Sequence, residues 1–307
     1  MIDAWASPGA WLRCALHAHT TESDGELTPA GLAGHYARAG YDVLAVTDHR
    51  VVTEPPDHEG LVTIAGVELN CTLPGELDGH VLGFGVEVPE DELAEMRTAW
   101  PSLTEVGGWI EAHGGLAYLA HPYWTGIVPG SLELPESVTG VEVYNAGCEL
   151  EIGRGLSSVH WDAWLEGGRL VGAIATDDTH HPGFDSGFAW TWVRAAERTA
   201  EAVLEALAAG RCYGSCGPEI HDVRVEDAAM VVRCSPARSL TLVSVPRVGA
   251  AANAGRLGYT YDAEVLERDP AGSITAARLS LAGLGGYARL EVTDAAGRRA
   301  WTNPIAV

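Results

Sequence analysis

From residue 12 to residue 180 the chain repeats one arrangement: a short apolar run of strand length, a polar residue of metal-binding type beside it, then a segment of helical periodicity. The runs occupy the front half of 12–24, then 41–47, 61–67, 80–84, 115–120, 141–145 and 170–176. Helical segments open at Thr28-Pro29 and stop at Gly40, and run over 92–100, 102–113, 157–166 and 199–209, with a further run at 211–218. Buried runs alternating with helices predict a sheet of parallel strands. Chemistry-bearing residues at successive strand ends favour a barrel with its site at the C-terminal mouth. His80 departs from the pattern by opening its run instead of closing it.

Beyond His221 no helical period is visible. Alternating runs at 221–225, 230–234, 239–246, 263–266, 274–281 and 287–293, separated by Gly, Pro, Asn and Asp, predict a small antiparallel β unit, with a hairpin turn at Asp294-Ala295-Ala296-Gly297. The expected organisation is a barrel domain over 1–220 and a β-sandwich-like unit over 221–307. That unit is expected to close one side of the barrel mouth and to complete the core.

Composition excludes several classes. A formal charge of -23, from 42 acidic against 19 basic residues, argues against an extended nucleic-acid partner, although a short nucleotide fits a metal-lined pocket. Every basic residue is arginine, which excludes a Schiff-base lysine, a phosphate-loop lysine and a metal centre bridged by a modified lysine. The six cysteines show no Cys-x-x-Cys spacing and are expected to be core thiols of a reducing compartment. The first eleven residues lack a basic segment followed by an apolar run, and no apolar stretch approaches the ~18 residues of a membrane span. A cytoplasmic protein with a small-molecule substrate is expected.

The polar residues at strand ends are His17, His19, Asp24, His49, Glu68, His80, His121, Asp178 and His180. Singly, each has a plainer role: a satisfied core histidine, a turn residue before Gly25, a buried ion-pair partner. Their coincidence at successive strands predicts a cluster of two or three divalent ions, zinc, manganese or iron, because the donors are nitrogen and oxygen with no thiol among them.

His17-Ala18-His19 with Ser23-Asp24-Gly25, Thr47-Asp48-His49, Glu68, His80, Ala120-His121-Pro122 and Asp178-Thr179-His180 resemble the PHP (polymerase and histidinol phosphatase) domain of metal-dependent hydrolases over residues 12–220. The resemblance implies a distorted (βα)7 barrel, similar to a TIM barrel, with a trinuclear centre. One ion would take His17, His19, the bridging Glu68 and Asp178, a second Glu68, His80 and His121, and a third Asp24, His49 and His180. Asp24 departs from the histidinol-phosphatase branch, which carries His there, and is more like the phosphoesterase and nuclease branches. The stretches 213–221 and 291–304 are similar to the branch that includes carbaryl hydrolases.

A hydroxide shared by two ions is nucleophilic near neutral pH, so the expected reaction is hydrolysis of a small phosphorylated metabolite or nucleotide. Hydrolysis of a carbamate, ester or amide is the alternative, and a non-catalytic metal-stabilised module a third. Asp48 and His180 are the catalytic candidates, Asp48 as an orienter of His49 or a proton acceptor. Asp177 is expected to support Asp178. Arg154 and Arg211, on expected loops beyond the sixth and seventh runs, are candidates for a phosphate clamp, with exposed surface arginines the plainer reading. His160 is expected to line the mouth. Arginines aimed at the centre would favour phosphate, whereas an apolar pocket with tryptophan would favour a neutral aromatic ester.

Overall fold

The computed structural model describes residues 4–88, 90–98, 100–254 and 258–307. The first half consists of β1 (Ala10–Ala15), α1 (Pro29–Arg38), β2 (Val43–Val46), β3 (Val62–Leu73), β4 (Leu77–Phe84), α2 (Glu90–Thr98), α3 (Leu103–Ala112), β5 (Leu116–Leu119), α4 (Pro122–Thr125), β6 (Val138–Asn145) and α5 (Ala146–Ile152). Then come α6 (Ser158–Glu166), β7 (Gly172–Thr176), α7 (Pro182–Asp185), β8 (Trp190–Ala195), α8 (Ala200–Ala208) and β9 (Cys212–Ser215). The C-terminal third is all strand: β10 (Ile220–Glu226), β11 (Ala229–Ala237), β12 (Ser239–Val243), β13 (Gly249–Asn253), β14 (Thr260–Tyr261), β15 (Ala263–Arg268), β16 (Ile274–Ser280), β17 (Tyr287–Thr293), β18 (Arg299–Thr302) and β19 (Ile305–Ala306).

Local chemistry sets the helix ends. Thr28 accepts from the Gly31 N–H with Pro29 in the first turn, Ser102 and Glu105 cap each other reciprocally, and Thr199 accepts from Ala202. The helix expected over 92–100 is α2, and residue 99 lies outside the described residues.

The sheet is mixed, not all parallel as expected. β1, β2 and β3 pair in parallel, β3–β4 and β4–β5 are antiparallel, and β5, β6 and β7 are parallel again. The reason is the length of β3, which runs on through Glu68 to Leu73 and turns back as β4. Glu68 therefore sits within a strand, opposite Leu82. Because β4 runs the other way, its beginning lies where its parallel neighbours end, which accounts for His80 opening its run.

β8, not anticipated, pairs antiparallel with β1, bringing Ala195 opposite Ala10. Among the described residues no ladder joins β7 to β8; Thr191 of β8 instead accepts from the Ala175 N–H (3.1 Å) and donates to the Ala175 carbonyl (2.9 Å). The sheet thus curls until its β7 edge meets β8 through a side chain.

The large sheet does not stop near residue 220. β18 pairs with β9 and carries it on into β17, β12, β13 and β14, while β10, β11, β16 and β15 form a second antiparallel sheet. A core including Val232, Leu240, Leu279, Leu290 and Val292 fills the space between. Arg289, 2 % exposed, reaches from β17 to Asp162 of α6 with two nitrogens at 2.7 Å and lies over the Trp161 ring. The turn at 294–297 forms as expected: Asp294 accepts from the Ala296 and Arg298 N–H groups, and Gly297 takes φ +86°. Among the described residues no helix is long and apolar enough to cross a membrane, and the six cysteines are unbridged.

Candidate metal centre

Strand ends, the interiors of β3 and β4 and the turn after β1 bring all nine expected residues to one rim. His17 and His19 lie just past β1 with ring centroids 5.1 Å apart, and both turn a nitrogen to Glu68. Oε2 of Glu68 faces His17 Nε2 (3.2 Å), His19 Nε2 (3.3 Å) and His49 Nδ1 (3.2 Å). Its Oε1 faces His80 Nδ1 (2.9 Å) and His121 Nε2 (3.3 Å). Asp178 Oδ1 stands 3.1 Å from His17 Nε2 and 3.3 Å from His19 Nε2. Asp24 bridges the outer imidazoles, at 3.6 Å from His19, 3.6 Å from His49 and 3.5 Å from His180.

Hydrogen bonding within the protein does not account for this arrangement. A carboxylate offers about four lone-pair sites, and Glu68, 1 % exposed, is approached by five imidazoles. Of those approaches only His121 to Glu68 has hydrogen-bond geometry. His17 Nε2, both nitrogens of His19, His80 Nδ1, Glu68 Oε2 and Asp178 Oδ1 are buried without a hydrogen-bond partner among the described residues. Such groups are costly unless a cation lies between them. Among the described residues, donor atoms within 4.8 Å of one another form three sets: His19, Asp24, His49 and His180; His17, His19 and Asp178; and His49, Glu68 and His80. The donor chemistry of each fits a borderline divalent ion.

A second layer fixes the rings. Glu142, fully buried at the middle of β6, accepts from His17 Nδ1 (2.8 Å), the Thr176 hydroxyl (2.6 Å), the His121 N–H (2.8 Å) and Asn145 Nδ2 (2.9 Å). Burial opposes its ionisation, but the His17 imidazole overcomes this and holds its carboxyl below the usual range. As an ionised acceptor it holds a proton on His17 Nδ1, so the neutral form of the ring presents its Nε2 lone pair to Glu68 and Asp178. Asn145 also donates to Asp178 Oδ2 at 3.0 Å. Two of the nine residues carry unusual backbone, His121 at φ +29° and Asp178 at φ +57°, a strain that neighbouring structure must hold. Glu142 and Asn145 do not stand out in the sequence as site residues; their signal is a carboxylate and an amide inside and at the end of a strand that is otherwise apolar.

The other candidates fall elsewhere. Asp48 is fully buried and accepts from the Thr20 N–H and the hydroxyls of Thr20, Ser23 and Thr53, at 2.6–2.7 Å. Burial works against its charge, and those donors overcome it and hold its pKa below the ordinary value. With its acceptor sites filled it anchors the turn that carries Asp24 and is not a free proton acceptor. Asp177 supports the loop after α7, accepting from the N–H groups of Gly187, Phe188 and Ala189; burial pushes its carboxyl up to about 6. His160 is 2 % exposed, with Nε2 on the Ile127 carbonyl at 2.8 Å, and does not line the cavity. Arg154 lies over the Tyr123 ring, outside the cavity. Arg211 pairs with Glu205 and abuts Arg194, at the end of the sheet opposite the cluster, because β8 runs antiparallel to β1. The expected phosphate clamp is therefore not formed by these two arginines. His180 keeps its expected place, with Nδ1 on the Asp178 carbonyl at 3.0 Å and its ring at the rim of the cavity.

The cluster floors a cavity of about 470 Å³ whose wall includes Trp124, Cys148, Leu150, Glu151, His181, Phe184 and Asp185. Among the described residues none beyond 185 lines it, so the expected closure of the mouth by the C-terminal unit is not seen among them.

We found no protein-family model that matches the sequence and no similar curated protein. Among solved structures the chain is similar to a two-domain protein from Bacteroides vulgatus containing a predicted PHP-like metal-dependent phosphoesterase, at TM-score 0.51 and 16% identity over 97% of this chain and 95% of that one. It is also similar to an amidohydrolase from Chromobacterium violaceum with bound sulfate and no metal (TM-score 0.43, 18% identity, 65% and 96% of the two chains). A lesion-specific endonuclease from Pyrococcus furiosus matches at TM-score 0.46 and 15% identity, over 65% and 56%. The first likeness shows that the fold, a mixed α/β sheet with a separate antiparallel sheet, is similar to that of the Bacteroides protein.

Proposed function

We propose that the chain is a metal-dependent hydrolase of a small phosphoric ester, its curled sheet a distorted PHP-like barrel over 1–220 with the β unit of 221–307 bracing it from behind. The observation that carries the reading is the buried, mutually unsatisfied set of imidazoles and carboxylates around Glu68. His17, His19, Glu68 and Asp178 would hold one ion, Glu68 with His80 and His121 another, and Asp24 with His49 and His180 a third. Bound divalent ions would supply an activated water and Lewis-acid polarisation of a phosphoryl oxygen. The protein's own part is orientation: Glu142 sets the His17 tautomer, Asp48 holds the Asp24 turn, and Asp185 holds the His180 and His181 N–H groups, both at 2.8 Å. The unbridged thiols support a cytoplasmic location.

A second reading, hydrolysis of an uncharged carbamate or carboxylic ester, is favoured by one observation: among the described residues no arginine lines the cavity. Protein reconstituted with manganese and offered p-nitrophenyl phosphate, bis-p-nitrophenyl phosphate and p-nitrophenyl esters separates the two. Turnover of a phosphate supports the first reading, turnover of the neutral esters alone supports the second, and inertness to all refutes both.

A further inference from the structure

We infer that the outer half of the cavity is an apolar subsite that selects an uncharged aromatic or branched organic group on the substrate, and that it rejects a second phosphate. The inference rests on the hydrolase reading for the inner half of the cavity. Three apolar side chains from three short helices face this space: Trp124 of α4, Leu150 of α5 and Phe184 of α7. Phe184 is 73 % exposed and Leu150 47 %. A lone exposed apolar residue needs no explanation, but three on one cavity wall form a surface of ligand-binding type.

The wall is also held in place. Trp124 donates its Nε1–H to Glu151 at 3.1 Å, and its ring centroid lies 4.9 Å from that of His121. The turn that carries Phe184 is tied at one end by Asp185 and at the other by Asp177, and His35 bonds Ser186 at 2.8 Å. A backbone and an indole held before binding lose little freedom on it. Charge points the same way. The outer lining holds the carboxylates of Glu151 and Asp185, no arginine among the described residues, and the sequence holds no lysine. A diphosphate or a nucleic-acid strand reaching past the ligand cluster would meet like charge there with His181 as the one basic side chain among the described residues and no arginine fork to pair with. An apolar body meets a matching wall.

Isothermal titration of manganese-loaded protein with phenylphosphonate and methylphosphonate tests this. Phenylphosphonate is expected to bind at least ~10-fold more tightly, with the gap closing in Phe184→Ala and Leu150→Ala. Equal binding of the two probes, or a gap that survives both substitutions, overturns the subsite. If neither phosphonate binds, the phosphoric-ester reading fails, and 1-naphthol, which needs no ion, decides the subsite alone. Saturable naphthol binding weakened by Phe184→Ala upholds it; no binding, or binding unaffected by the substitution, overturns it.

Discussion

Glu142→Gln changes one atom at a buried position, and the structure says what that atom controls. Oε2 faces two fixed donors, the His121 N–H and Asn145 Nδ2, so the new amide oxygen is held there. The NH₂ group then takes the place of Oε1, facing Thr176 and His17 Nδ1. The Thr176 hydroxyl rotates and becomes an acceptor at little cost. His17 must also accept, which moves its proton to Nε2, the atom aimed at Glu68 and Asp178. A charge-assisted bond of about 1.5–3 kcal/mol is exchanged for a neutral one of about 0.5–1.5 kcal/mol. The difference, about 1–2 kcal/mol, corresponds to a loss of roughly 5- to 30-fold in metal affinity. That lies within and just below the range of about 10–100-fold typical for groups behind metal-binding histidines. The assay is manganese and zinc content after equilibration in a metal buffer, alongside hydrolysis at saturating metal, with thermal unfolding to confirm that the fold survives. A Glu142→Gln protein that binds ions and turns over as the wild type does would refute the tautomer argument.

The remaining expectations concern other parts of the molecule. Glu68→Gln should abolish retention of at least one ion and lower turnover by ~100-fold or more, since it removes charge from the group shared by five imidazoles; full metal content measured by mass spectrometry would contradict it. Asp162→Ala should cost about 3 kcal/mol in urea unfolding, because it leaves Arg289 buried with its two 2.7 Å bonds gone, and Asp162→Leu with Arg289→Met should recover most of the loss. His113 closes α3 with Nδ1 donating to the Trp109 carbonyl (2.8 Å) and Nε2 by Glu92 (2.9 Å), and the bond to Trp109 raises its pKa above the ordinary value. A raised folded-state pKa adds stability that is fully present below the unfolded value near 6.5 and is lost as pH rises through the folded one. His113→Gln should therefore lower Tm at pH 6 more than at pH 8, by an amount worth about 0.3–1 kcal/mol; an equal drop at both would contradict the assignment.

The sequence carried most of the centre and less of what surrounds it. His17, His19, His49, His121, Asp178 and His180 were readable because each follows a run of apolar residues long enough to be a strand, and parallel strands send such residues to one end, whereas Asp24, Glu68 and His80 were readable from the motifs they share with that set. Helix caps such as Thr28 and Ser102 were equally plain, since capping needs only residues three apart. Register and pairing were not readable. Whether the chain after Glu68 turns away or pairs back as β4 depends on what lies across the sheet, and so does the pairing of β8 with β1 and of β18 with β9. For the same reason Arg211 looked like a neighbour of the site and stands at the far end, and Glu142 looked like a strand residue and lies behind His17 and His121. Local chemistry is written along the chain. Contacts between residues a hundred positions apart exist only once the sheet has curled, and the second layer of a site is made of such contacts.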